Sequence, residues 1–101
     1  MKEYIKHDVY FMVTYPDKNL AYPVIESYVF IGRNIFGDEI GNTWYFQYST
    51  SFGRYGSILD TEDGDRRIEE VKEEELISFL TREELEQELQ QSEKRRNIPR
   101  A

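Results

Sequence analysis

The chain has no cysteine, only one histidine, and no apolar run that approaches a membrane span. Without cysteine there is no disulfide framework, no thiolate nucleophile and no cysteine-ligated zinc; the composition agrees with a reducing, cytoplasmic setting. His7 alone would have to serve any Ser-His-Asp arrangement. It also leaves only carboxylates as further metal ligands, so His7 is read as a surface or strand-end residue, and no metal or cofactor is expected. A spanning helix needs about 18 consecutive apolar residues, and the first eight residues, Met1 to Asp8, carry neither an apolar core nor a small-residue cleavage site. No membrane association and no signal peptide are therefore expected. Phosphate-loop chemistry is missing as well. Gly32-Arg33-Asn34 and Gly53-Arg54-Tyr55-Gly56 lack the glycine-rich, lysine-terminated pattern that cradles phosphates.

What is present is segregated. Fourteen of the fifteen aromatic residues lie between Tyr4 and Tyr55, and fourteen of the twenty acids lie between Asp60 and Glu93. The 101 residues carry a net charge of −7. Lys94, Arg95, Arg96 and Arg100 form a short basic tail on an otherwise acidic chain. Such a field repels nucleic acid and attracts basic partners. The length implies a single domain spanning 1–101. It divides into an aromatic β-rich part (1–56), an acidic part with a loop, a short strand and a helix (57–97), and a tail (98–101).

Strand signals are strong in the first part. Asp8–Tyr15, a long run from about Tyr22 to Phe36, and Thr43–Tyr48 are rich in β-branched and aromatic residues. Pro23 suggests an edge or bulge at the start of the second run, and Gly32 a second bulge. Pro16–Asn19 and Gly37–Asn42 read as turns. Ser49–Gly56 reads as a loop, and Arg67–Lys72 as a short fourth strand. A short helix or turn is expected over Glu73–Leu80. Thr81-Arg82-Glu83-Glu84 is a capping box, with Leu85 and Leu89 as the apolar stripe of the helix that follows. The acidic stretch Asp60–Asp65 superficially matches a calcium loop, but placing Gly64 at the sixth position puts Leu59 at the first, where calcium needs an oxygen ligand. The expected fold is α+β: a small antiparallel β-meander of about three to five strands with a C-terminal α-helix packed on one face.

Alternation along the strands divides the side chains between two faces. One helix covers one face of a small sheet. The second, tyrosine-rich face, to which Tyr10, Tyr28 and Tyr45 are assigned, is then half-exposed, closed over as the sheet curls into a small barrel, or buried by a partner. The expected function is therefore non-catalytic. A small acidic protein would bind a partner with a basic surface and occlude it, as inhibitors, immunity proteins and phage counter-defence proteins do. Tyr10, Tyr28, Tyr45, Glu69 and Glu70 are the expected partner-binding residues, and a homodimer is an alternative way to cover the face. A second class is a binder of a planar, anionic, nucleotide-like ligand using Arg33, Arg54 and Tyr55. An enzyme of unknown type is the third, with no catalytic residue assigned.

Overall fold

Four strands hydrogen-bond into one antiparallel sheet in the computed structural model, which describes residues 2–60 and 67–98. They are β1 (Val9–Thr14), β2 (Val24–Arg33), β3 (Trp44–Tyr48) and β4 (Ile68–Val71), in the meander order of the chain. The expected α+β architecture is present. The acidic loop at 60–65 falls, apart from Asp60, outside the described residues, as do residues 99–101, Arg100 of the basic tail among them.

Register fixes the faces. Tyr10 lies opposite Tyr28, Tyr28 opposite Tyr48, and Phe30 opposite Phe46. These residues share the first face. There Tyr10, Tyr28, Phe30, Trp44, Phe46, Val71, Leu76 and Phe79 form the larger core cluster. Phe79 stacks on Phe46 with ring centroids 4.1 Å apart, and Tyr4 meets Phe46 edge-on at 5.5 Å. The Tyr4 hydroxyl donates to the carbonyls of Leu76 and Phe79. The N-terminal segment and the 3-10 turn Glu73–Ser78 are thus fastened together over this face.

Part of the second face is covered too, by a helix, while Val9 and Ile25 on it stay exposed. Residues Ser49–Tyr55, read as a loop, form a helix, α1. Phe52 packs with Val29, Ile31, Tyr45 and Ile58 in a second cluster. Gln47 organises this cover. Its side chain is buried on β3, donates to Ser51 Oγ and the Gly56 carbonyl, both at 3.0 Å, and accepts from the Ile58 amide at 3.0 Å. A buried amide whose donor and acceptor are both satisfied fixes the segment that crosses above it. Local helix propensity of Ser-Thr-Ser-Phe-Gly is weak; tertiary packing of Phe52 and the Gln47 network override it.

Gly32 does mark a bulge: the β2–β3 register shifts between Phe30 and Gly32. A Cβ there would stand 2.7 Å from Ile35 Cγ2, so any larger residue would have to displace that side chain. The C-terminal helix α2 (Arg82–Arg96) begins where the capping box places it. Thr81 Oγ1 accepts from the Glu84 amide, and the Glu84 carboxylate accepts from the Thr81 amide. Leu85 and Leu89 are half-buried, and Ser92 completes the inward stripe. Polar contacts along the helix add to its anchorage. Lys2 pairs with Glu84 at 2.6 Å, Arg95 with Glu88 at 2.9 Å, and Arg96 donates to the Ala21 carbonyl at 2.8 Å.

Candidate protein-binding surface

Among the described residues the most exposed large apolar side chain, that of Ile40, lies in the connection from β2 to β3, whose backbone is held from several sides. Asn34 adopts a left-handed conformation (φ 53°), which asparagine tolerates. Its amide donates to the Thr43 carbonyl and its side-chain oxygen accepts from the Thr43 amide, each at 2.8 Å; its side-chain nitrogen donates to Asn42. Gly37 and Gly41 supply the positive φ angles, 82° and 76°, that turn the chain on either side of the apex.

Glu39 is the keystone. Its carboxylate accepts from the Phe36 amide at 2.9 Å, the Gly37 amide at 2.8 Å and the Tyr45 hydroxyl at 2.8 Å. Partial desolvation acts to raise its pKa. The hydrogen bonds from the Phe36 amide, the Tyr45 hydroxyl and neighbouring amides outweigh that, and hold the carboxyl below the ordinary glutamate value. Burial, reinforced by Glu39 and Glu70, pushes the Tyr45 hydroxyl up, so it stays a donor. Phe36 closes edge-on over the Tyr45 ring at 5.0 Å. From β4's end, Lys72 Nζ donates to the Ile40 carbonyl at 3.1 Å and to Thr43 Oγ1. Ile40 itself is 93% exposed at the apex. Beside it, a groove of about 490 Å³ runs between Asp38, Glu39 and Ile40 on one bank and Glu70 and Lys72 on the other, with Tyr45 beneath.

The expected partner-binding residues do not form one surface. Tyr10, Tyr28 and Tyr45 are each at most 4% exposed. Tyr28 and Tyr45 also lie on opposite faces, because Tyr28 pairs with Tyr48 rather than with Tyr45. Burial, with Tyr48, Glu26 and Glu69 nearby, pushes the Tyr28 hydroxyl strongly up. The two acids split in the same way. Glu69, opposite Phe46, accepts from the Tyr48 hydroxyl at 2.9 Å on the first face; Glu70, opposite Tyr45, borders the loop groove on the second. Tyr45 and Glu70 therefore meet at the β2–β3 loop, whereas Tyr10, Tyr28 and Glu69 belong to the first face. Helix α1 covers the part of the second face that holds Tyr45, so this tyrosine is not on a surface that a second copy would have to cover.

The residues expected to hold an anionic ligand are dispersed too. The Arg33 guanidinium lies over the Trp44 ring at 4.9 Å on the first face. Arg54 and Tyr55 stand at the end of α1, on the other side of the sheet, beside a small hollow of about 160 Å³. His7 has a left-handed backbone (φ 71°), and its ring lies 5.6 Å from that of Phe52. Among the described residues no three acidic or histidine side chains converge as a ligand set, and no helix is long and apolar enough to cross a membrane.

Glu39 and Ile40 do not stand out in the sequence, because Gly37–Asn42 has ordinary turn composition. The available signal was an isoleucine set between two glycines and two acids, where a turn needs no apolar residue. Comparison of the chain with family models, with curated proteins and with solved structures yields no match.

Proposed function

We propose that the protein acts without catalysis, in a cytoplasmic setting, by binding a partner protein through the β2–β3 loop and occluding part of its surface. The observation that carries this reading is the combination at Ile40: a residue 93% exposed on a loop whose backbone is tied at Asn34, at Phe36 and Gly37 by the Glu39 carboxylate, at Ile40 and at Thr43. Burying an isoleucine side chain in a partner's pocket is worth roughly 1.5–3 kcal/mol. A loop already held in shape loses little further conformational entropy on docking. Asp38, Glu39 and Glu70 around the apex favour a partner whose pocket is rimmed by Lys or Arg. This is the mode of action of inhibitors and immunity or counter-defence proteins, in which apolar anchors supply affinity and complementary charge speeds association.

The test compares proteins captured from a lysate of the source cells by the tagged parent, by Ile40→Asp and by Ile77→Asp. Ile77 is 79% exposed on the 3-10 turn and serves as the control for a generally sticky isoleucine. The account expects one captured species lost with Ile40→Asp and kept with Ile77→Asp. A captured species indifferent to Ile40→Asp contradicts it.

A further inference from the structure

Among the described residues, the sheet has an open stretch of edge at its other end. β3 stops at Tyr48, opposite Tyr28, and the chain turns away into α1. Val24–Ser27 of β2 therefore pair with β1 alone. The direction of their backbone groups follows from the hydrogen bonds around them. Phe11 donates its amide to Leu80 and accepts from the Leu80 amide, so it points away from β2. Its register partner Ser27 correspondingly points away from β1, and by alternation so does Ile25. The Tyr48 amide donates to the Arg67 carbonyl at 3.1 Å, away from β2, which agrees with this phase. Ile25 and Ser27 thus present two N–H and two C=O groups at the edge, and no described residue bonds them. The place that a longer β3 would fill is a gap of about 400 Å³ between these residues and Tyr48, Thr50 and Arg67.

We propose that this edge accepts an extended segment of a partner protein as an added strand, with basic residues on one of its faces and apolar residues on the other. Paired donors and acceptors repeating every second residue match a polypeptide strand and nothing smaller. The side-chain chemistry gives the polarity. On the first face stand Glu26 and, held by the Tyr48 hydroxyl, Glu69; on the second face Ile25 is 44% exposed. Arg67, also at the gap, is already engaged within the protein. A second copy of this chain fits poorly. Pairing Ile25 of one copy with Ser27 of the other sets Glu26 opposite Glu26, and like charges directly opposite are destabilising. This edge lies at the opposite end of β2 from the Ile40 loop and does not depend on it.

The experiment is amide hydrogen exchange on the full chain, read by NMR, with a short alternating lysine–valine peptide at millimolar concentration as probe. In the free protein the Ile25 and Ser27 amides exchange fast, while those of Glu26 and Tyr28, bonded to β1, are protected. The peptide slows Ile25 and Ser27 by about tenfold or more, and an alternating glutamate–valine peptide does not. Ser27→Pro abolishes the effect, because it removes only an outward N–H and leaves the β1 ladder intact. Several outcomes overturn the proposal: protection of Ile25 and Ser27 in the dilute free protein, no slowing by the lysine–valine peptide, or equal slowing by both peptides. Protection that grows with protein concentration alone overturns it in favour of a second copy.

Discussion

Phe79→Ala tests how the C-terminal part of the chain is held to the sheet. Phe79 lies between the 3-10 turn and α2, is 2% exposed, stacks on Phe46 and meets Tyr28 edge-on at 5.3 Å. Its carbonyl is also the acceptor for Lys2 Nζ and the Tyr4 hydroxyl. The side chain therefore fills the core between turn and sheet, while the carbonyl holds the N-terminus. Truncating a buried phenylalanine to alanine costs about 3–5 kcal/mol, from lost transfer energy and the cavity left behind. The backbone acceptor survives the change, so the hydrogen bonds to the carbonyl add little to that loss. A domain of this size is typically stable by roughly 5–15 kcal/mol, so the variant approaches the margin of folding. Urea unfolding followed by tryptophan fluorescence reads the effect directly, since Trp44 lies in the same cluster. The expected result is a large fall in midpoint with an unchanged slope. A loss below about 0.5 kcal/mol at unchanged slope would refute this packing, because that is the range of surface substitutions.

Two further perturbations have defined outcomes. Gly32→Ala forces a Cβ against Ile35 Cγ2 at the bulge and should cost about 1–3 kcal/mol by overpacking, read as a lower urea midpoint. In acid, Glu84 matters: its hydrogen bond from Lys2, then that from the Thr81 amide, holds its pKa below 4.5 in the folded state. A depressed carboxyl stabilises above its unfolded pKa, and that contribution disappears as pH falls through the folded value. The parent's Tm should therefore fall more steeply than that of Glu84→Gln below about pH 4.5, and parallel curves would contradict the pairing.

The strands and the α2 start were legible because their signals are local. Val9–Thr14, Val24–Arg33 and Trp44–Tyr48 are dense in β-branched and aromatic residues, and Thr81 with Glu84 closes a box within one turn. The faces were not, although alternation within each strand was. Phase between strands depends on register: Tyr28 pairs with Tyr48 and Phe30 with Phe46, and this places Tyr45 on the opposite face from Tyr28. Helix α1 was missed because nothing in Ser49–Tyr55 favours a helix until Phe52 finds the second cluster and Ser51 finds Gln47. The candidate loop was half legible. Tyr45 and Glu70 were singled out for a role, and both reach the groove. The reason they do is the Glu39 carboxylate, whose three donors come from the loop and from β3 and are brought together only by folding.

The central claim is that Ile40 enters a partner protein. Its most direct test is a photo-crosslinking amino acid placed at position 40 of the full chain in the source cells, with the same group at position 77 as control. The account predicts a single crosslinked species of discrete mass from position 40, absent from position 77 and identified as a protein whose crosslinked surface is rich in Lys and Arg. No crosslinked species from position 40, or the same species from both positions, would contradict it.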